Sequence, residues 1–390
     1  MTWNWEQPDW PDFAWNADRL TRAEQAFLVD GGVILGSLEH LTKDNQNALV
    51  VETITTEAMT TSEIEGELLD RDSVQSSIRK QLGLAVDHRR AKPAEQGIAE
   101  LMVSLYQNPT EPLSHELLFE WHRMVTHGRR DLRDIGAYRT HKEPMQVVSG
   151  RLDKPTIHFE APPSSSVPEE MERFVNWFNS TSPTSNSPLP AITRSGIAHL
   201  YFVSIHPFED GNGRLARALS EKALAQALDR PTLTAQAATI LVRRNEYYDQ
   251  LEAANKGCEL TDWLAWFAGM TLESQHRSQA QVSFVLEKTR LLDRLGSQLN
   301  ERQEKVLHRM LREGPHGFQG GLSASNYVAI TKATSATATR DLAGLVDRGA
   351  LIRTGERKGT RYHLNLQHPR IPHSTIGEDG VISPLPKTAP

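Results

Sequence analysis

From His206 to Arg217 the chain reads His-Pro-Phe-Glu-Asp-Gly-Asn-Gly-Arg-Leu-Ala-Arg, and these residue types at this spacing suit phosphate chemistry. Apolar spacing makes Ile192–Ile205 a helix that Pro207 cannot continue. Gly211 and Gly213 let the backbone come close to a ligand. A second helix is expected from Asn212 to about Leu228. Its N-terminus offers unpaired N–H groups and the positive end of a dipole to an anion. Arg214 and Arg217 lie three apart, hence on one face, and two guanidinium forks above an anion hole suit a polyphosphate. Asp210 at the lip supplies a hard oxygen for Mg²⁺. His206 has the chemistry to take a proton from an attacking hydroxyl. Singly, each piece has a plainer meaning: a structural histidine, an ordinary turn, a solvated pair of arginines. Their order within one short segment favours chemistry.

The elements that must position this segment are mostly helical. Spacing such as Val51, Ile54, Ala58 and then Ile64, Leu68 marks helices from about Leu20 to Ser180. Gln146–Phe159, with a turn at Gly150–Pro155, reads as a β-hairpin among them. Thr181–Pro190 is a Ser/Pro loop, and a second helical block follows from Ile192 to about Leu299. Ahead of all this, Trp3, Trp5, Trp10, Phe13 and Trp15 are punctuated by Pro8 and Pro11. That start is no single helix, yet too aromatic to float free, and is expected to pack as an extended strap. Beyond Ser297 come helices at Arg302–Arg312, Ala324–Thr331 and Ser335–Arg348, a glycine-rich turn at Gly317–Gly321, and strands at Leu351–Arg353 and Arg361–Leu364. That is the order of a winged helix-turn-helix. The last residues, Pro-rich with few large apolar groups, are expected to be unstructured. No internal repeat is found.

Composition sets the frame. The chain's 390 residues suffice for two or three domains, with 38% apolar and 24% charged residues, as in ordinary folded proteins. No apolar run is long enough to span a bilayer, the start lacks a secretory pattern, and Cys258 is the single cysteine. A cytoplasmic location is therefore expected. Net charge is −6, which argues against nucleic acid as partner of the whole chain, but residues 297–370 hold 12 Lys/Arg against 6 Asp/Glu. Contact with nucleic acid would belong at that end.

HPFEDGNGRLAR resembles the signature of the Fic family, HxFx(D/E)GNGRxxR, at every constrained position. The resemblance implies a mainly α fold: a Fic helical bundle with a β-hairpin flap, plus the small C-terminal winged helix-turn-helix domain. It divides the chain into residues 1–95 (aromatic strap and inhibitory helix), 96–296 (catalytic domain), 297–368 (winged helix) and 369–390 (tail). It implies transfer of AMP from ATP, with Mg²⁺, to a Ser, Thr or Tyr hydroxyl of a target protein. In that reading His206 is the general base, Phe208 a core anchor and Asp210 the metal ligand. Gly211, Asn212, Gly213, Arg214, Leu215 and Arg217 hold the triphosphate. A Fic branch acting as a kinase has lysine between the asparagine and arginine, so Gly213 favours AMP transfer. The hairpin resembles the family's flap, with Val147, Val148, Ile157 and His158 docking the target by β-addition; a plain surface ribbon is the alternative. Gly136–Thr140 and Ala161–Pro163 are similar to the flap's usual surroundings. Tyr247–Asn255 resembles the helix closing the adenine pocket, with Tyr248 and Asn255 beside the base, although such tyrosines are as often core.

Thr61-Ser62-Glu63-Ile64-Glu65-Gly66 is similar to the family's short inhibitory pattern (S/T)xxxE(G/N). The resemblance implies that Glu65 reaches Arg217 and withholds it from the γ-phosphate; a solvated glutamate is the alternative. In some relatives the same glutamate supports removal of AMP, so a deAMPylase or bifunctional enzyme stays open. A regulator whose winged helix binds DNA, through Ser335, Thr337, Thr339 and Arg340 and through Arg353, Arg357, Lys358 and Arg361, is the third reading. A protein-docking module is its plainer form. A homodimer is implied by resemblance alone.

Overall fold

The structure is a computed structural model, and it describes residues 2–39, 41–85, 90–151, 154–232, 234–314, 318, 320–366 and 373–384. Two compact units divide the chain: Met1–Leu35, Val50–His276 and Pro372–Pro390 form one, Gly36–Leu49 and Arg277–Ile371 the other.

In the first unit the aromatic start packs as a strap, with a 3₁₀ turn at Asn4–Glu6, further turns over Pro8–Pro11, and a bridge from Ala14 to Glu259. The ring of Trp10 meets Phe13 and Tyr201 edge-on, and its indole N–H donates to Glu170. Helices α1 (Ala17–Glu39), α2 (Lys43–Ile64), α3 (Arg71–Gln81), α4 (Pro93–Gln107) and α5 (His115–Val125) follow. Side chains of Asp70 and Ser114 accept from Ser73 N–H and Leu117 N–H, capping α3 and α5 at about 1 kcal/mol each. The hairpin is β1 (Gln146–Arg151) against β2 (Lys154–Glu160), antiparallel, with a bulge between Val147 and Val148. Then come α6 (Val167–Ser180), α7 (Ala191–Ile205), α8 (Asn212–Leu228), α9 (Gln236–Val242), α10 (Arg244–Ala254) and α11 (Thr261–Leu295); the last residues of α1, the first of α2 and α11 beyond His276 count with the second unit.

Helix α7 is the axis of this unit. All its residues but Val203 are buried, as expected of a helix apolar on every side. Its polar members are matched: Arg194 donates to Phe178 O and Gln226, Ser195 pairs with Ser220 on α8, and His199 meets the Tyr247 hydroxyl at 2.8 Å. Glu24 of α1 caps its N-terminus, accepting from the N–H groups of Ile192 and Thr193 at 2.9 and 2.7 Å. A carboxylate there also meets the favourable end of the helix dipole. At Gly196 any side chain would collide with Leu264 and Phe267 of α11, and this close approach lets Trp263 donate its indole N–H to Gly196 O. The helix that ends at His206 is thereby fixed along its length.

One expectation fails for this unit. Residues 369–390 were expected to be an unstructured tail, yet β5 (Ser374–Ile376) and β6 (Ile382–Pro384) form an antiparallel hairpin. Ile376 is buried, Arg19 of α1 donates to the carbonyls of Ile376 and Gly377, and Gly269 of α11 lies against Ser374 O. Docking supplies what the local composition lacks: a two-stranded ribbon has little stability alone. Residues 369–372 and 385–390 lie outside the described residues.

The second unit contains α12 (Glu301–Leu311), α13 (Ala324–Thr331), α14 (Ser335–Asp347) and the pair β3 (Leu351–Thr354) and β4 (Arg361–Leu364). Its own core joins Val306, Leu307, Met310, Leu322, Tyr327, Leu342 and Leu345 with Leu351, Tyr362 and Leu364. Leu322 bridges Tyr362. Of the expected turn at Gly317–Gly321, residues 317 and 319 lie outside the described residues. No helix among the described residues is long and apolar enough to cross a membrane.

Candidate active site

The turn between α7 and α8 is held from beneath. His206 ends α7 in the left-handed conformation, at φ 49° and ψ 58°. Arg139, itself buried, donates to His206 O at 2.8 Å and to the carbonyls of Ile205 and Pro162, while Pro207 O accepts from Arg139 N–H. Phe208 is fully buried with His122 stacked on it, 4.1 Å between centroids. Gly211 also has positive φ, with Val125 crowding the place of a side chain, so glycine is required there.

His206 Nδ1 donates to Val203 O at 3.2 Å. A carbonyl only accepts, so Nδ1 carries the proton and Nε2 keeps its lone pair. Burial pushes the imidazole down to about 4, with Arg139 acting in the same sense against the Val203 carbonyl, Glu65 and Asp210. The ring is neutral near pH 7, as a base must be. For Asp210, burial raises the carboxyl, but Arg214, the Gly211 N–H and Arg129 outweigh it and hold it below the usual range. Its Oδ2 is paired with Arg129.

Both motif arginines are engaged by carboxylates that follow α2. Gly66, at φ 82°, ends that helix, and Glu65 and Glu67 stand on either side of it. Arg217 is 4% exposed and donates to Glu65 Oε1 at 2.7 Å, to Thr61 Oγ1 at 2.7 Å and to Thr61 O at 3.0 Å. Arg214 donates to Glu67 Oε2 at 3.0 Å and to Val125 O. A Cβ on Gly213 would collide with Glu65 Oε1. The Glu65 carboxylate therefore lies against the first turn of α8, where the N–H groups and dipole favour an anion.

Above this floor is a cavity of about 620 Å³, lined by His206, Asp210 to Gly213, Arg217 and Glu65 together with the hairpin and α10. Tyr248 and Asn255 line it, and Asn255 Oδ1 is buried without a partner among the described residues. Val147, Val148 and His158 of the hairpin line it too. Val147, Val148 and Ile157 are exposed. His158 Nδ1 is 2.7 Å from Glu252 of α10, and its Nε2 is 2.6 Å from Ser149 Oγ.

Residues 112–224 match the Fic/DOC family model, and residues 3–84 match a domain of unknown function, DUF4172. The chain carries a Fic domain. It is similar to the protein adenylyltransferase fic-1 of Caenorhabditis elegans, 30% identical over 171 residues, which is 44% of this chain and 30% of that protein. It is also similar to the protein adenylyltransferase Fic of Drosophila yakuba, 32% identical over 118 residues, 30% of this chain and 22% of that one. The chain thus spans less than a third of the length of these relatives. A solved Fic family protein of Desulfovibrio desulfuricans G20 shares the fold over 89% of this chain and 97% of its own, at TM-score 0.50 and 19% identity. A Fic domain-containing signaling protein of Bacteroides thetaiotaomicron VPI-5482 does so over 69% and 96%, at TM-score 0.50 and 17% identity. The mainly helical Fic fold is therefore shared.

Within the Fic domain three expected ligand-facing residues are used otherwise. Asn212 turns its side chain to Phe208, accepting from its N–H at 3.0 Å and donating to its O at 2.8 Å, so its Oδ1 and one amide N–H are spent on closing the loop. Leu215 is fully buried in the core, and its N–H is spent on Gly211 O. Arg214 does not line the cavity but lies under the loop with Glu67 and Val125. Conversely, Glu67 and Arg139 escaped sequence reasoning. Glu67 carried a signal, a second carboxylate two positions past Glu65 to match a second arginine three positions before Arg217. For Arg139, the Gly136–Thr140 likeness to flap surroundings was the signal, without a role attached.

Proposed function

We propose that the chain is a protein adenylyltransferase that moves AMP from ATP to a Ser, Thr or Tyr hydroxyl of a protein and is restrained by its own Glu65. One observation carries this: a neutral His206, its Nε2 free, lines the same cavity as the glycine-bounded N-terminus of α8, where a carboxylate lies in the anion position. The target hydroxyl attacks the α-phosphorus of ATP, its proton passes to His206 Nε2, the Pα–O–Pβ bond breaks, and pyrophosphate leaves. N–H groups of the Gly211–Gly213 turn and the Arg217 guanidinium stabilise the phosphate charge. Tyr248 packs on the adenine and Asn255 Oδ1 accepts from its amino group. The exposed edge of the flap, with Val147, Val148, Ile157 and His158, aligns the target backbone.

A magnesium ion fits this donor set. Asp210 is kept ionised at the lip, and among the described residues no cluster of three or more His, Cys, Asp or Glu is built to hold a metal by itself. One carboxylate plus substrate oxygens is the usual arrangement for a hard cation that arrives with a triphosphate. The ion would neutralise phosphate charge; Arg129 would have to yield Asp210 to it.

Glu65 restrains the reaction twice over. It occupies Arg217, and its charge lies where a phosphate would bind, so ATP is misplaced for in-line attack. Glu67 pairs with Arg214 beneath the loop and so adds a second, indirect arm to the brake. Intact-protein mass after incubation with ATP and Mg²⁺ tests the reading. Glu65→Gly gains one AMP, wild type gains little, and Glu65→Gly/His206→Ala gains none. An unmodified Glu65→Gly variant with any offered protein would overturn it. Release of AMP from the modified protein by wild type, but not by Glu65→Gly, would instead favour the reverse, hydrolytic reaction.

For the second unit we infer a winged helix that contacts DNA phosphates. The outer face of α14 shows only Ser335, Ala336, Thr339, Arg340 and Ala343 before Asp347, and Arg353, Arg357 and Lys358 are exposed beside β3 and β4. Short side chains, and cations without an ion pair among the described residues, suit a groove. Retardation of duplex DNA that fades with salt is expected; none at low salt would leave a protein-docking module.

A further inference from the structure

Three consecutive residues of the strap between them grip β2, α10 and α7, three walls of the cavity. The ring of Trp3 stands edge-on to Phe159 of β2, with 5.3 Å between centroids, and Lys256 Nζ lies over its other side at 3.7 Å. Trp5 donates its indole N–H to Glu160 O, also of β2, at 2.7 Å. Between them Asn4 is fully buried. Its backbone N–H donates to Asn255 O at 2.8 Å, at the C-terminal end of α10, where a carbonyl has no partner within the helix. Its side chain donates to Ser204 Oγ of α7 at 2.8 Å and accepts from Trp5 N–H at 2.9 Å. Phe159, Ser204 and Asn255 all line the cavity.

We propose that Trp3-Asn4-Trp5 is a positioning clamp that fixes the adenine wall, at Asn255, against α7 and the base of the flap. The proposal rests on the nucleotide reading given above. Its logic is that of a rivet. Asn255 Oδ1, left unpaired, must be held at one place to select an amino group. The backbone of Asn255 is tied to Asn4, and Asn4 is tied to the helix that ends at His206. The same triplet ties down β2, so the wall that holds the base and the flap that presents the target share one anchor. None of the three residues touches substrate. This assigns a task to the opening of the DUF4172 stretch, whose later residues Thr61, Glu65 and Glu67 carry the brake.

The test uses the full chain in the Glu65→Gly background. ATP affinity is titrated with Mg²⁺ present, melting temperature is recorded, and hydrogen exchange of residues 146–160 is followed without nucleotide. Asn4→Ala removes the side-chain anchors of the clamp, and Trp5→Phe removes only the bond to Glu160. Trp10→Phe is the control, since it removes a hydrogen bond of the same strap away from the cavity. Asn4→Ala should weaken ATP by about tenfold or more, from lost buried hydrogen bonds. Trp5→Phe should speed exchange in the flap with a smaller loss of affinity. Trp10→Phe should lower the melting temperature alone. Asn4→Asp, which keeps Oδ1 and the backbone donor, should fall between Asn4→Ala and the parent. Equal ATP affinity and equal flap exchange in Asn4→Ala and its parent would overturn the clamp. So would losses that merely track melting temperature in all strap variants, which would make the strap a plain brace. If the Glu65→Gly parent itself binds no ATP, the nucleotide reading fails; flap exchange unchanged by Asn4→Ala and Trp5→Phe refutes the clamp separately.

Discussion

The loop from His206 to Arg217 and the turn from Thr61 to Glu67 face each other, and they are built differently. The loop is fixed by its neighbours: Asn212 bonds the Phe208 backbone, Arg139 holds the carbonyls of Ile205 and His206, and Gly211 is wedged against Val125. The turn is the glycine-capped end of a helix, and its two carboxylates are about a third exposed, 33% for Glu65 and 37% for Glu67. In the proposed reading the loop is a standing anion site and the turn supplies the carboxylate that occupies it. Such a brake would work because the site is already complementary to negative charge, and it would be released by moving two side chains without refolding the loop.

Breaking the loop should therefore cost most. His206→Ala in the Glu65→Gly background should lower AMP transfer by about 10²–10⁴-fold, the usual worth of a positioned base, with ATP affinity retained. Loss of ATP binding together with rate would mean that the histidine shapes the loop and is not the base. Next comes the turn. Glu65→Gly should raise self-modification about 5- to 150-fold, the range of a coupling between two sites, because Arg217 and the α8 N-terminus become free. An unchanged rate would show that the contact between Glu65 and Arg217 restrains nothing. Glu67→Ala should add only about two- to fivefold, since its pair with Arg214 is more exposed and the arginine keeps Val125 O. An effect as large as that of Glu65 would make Arg214, now beneath the loop, a phosphate ligand after all.

The same contrast explains what the sequence disclosed. Chemistry packed into one short segment was readable: the order of base, acid, glycines and arginines has a local meaning, and α7, α8 and the hairpin emerge from spacing and proline alone. Side-chain direction inside the loop was not. Asn212 points back because Phe208 exposes two backbone groups that need partners, and Leu215 faces the core because of helical phase against neighbours that lie far away in sequence. Contacts such as Glu67 with Arg214, or Asn4 with Ser204 and Asn255, join residues separated by 147 and more positions. No periodicity records them. The hairpin at residues 373–384 was hidden for the same reason, since its stability comes from α1 and α11 and not from its own composition.

The smallest effect concerns acid. A histidine at the ordinary value would lose about tenfold in neutral fraction between about pH 7 and about pH 5.5, and rate would follow. His206, held down to about 4 first by burial, stays unprotonated there, so the rate of the Glu65→Gly enzyme should change less than about twofold. Removing Glu65 takes away an influence that raises the imidazole, so the acid limb of the released enzyme lies no higher. Stability behaves otherwise. His206 and His122, both at about 4, and His199, at about 3, refuse protons that the unfolded chain accepts below the ordinary histidine value of 6.5. Their contribution is complete above that pH and is lost as pH falls toward 4. Glu57 runs the other way: burial raises it to about 8, so the folded chain holds a proton that the unfolded chain releases above 4.5, and that contribution fades as pH rises through this window. Glu24 and Glu221, raised by burial too, side with Glu57. Between 6.5 and 4.5 three histidines therefore oppose three glutamates; the melting temperature reports that balance while the rate per folded molecule holds. A rate limb near 6.5 would mean that His206 titrates like a free imidazole, and that the loop is no better organised than the turn that blocks it.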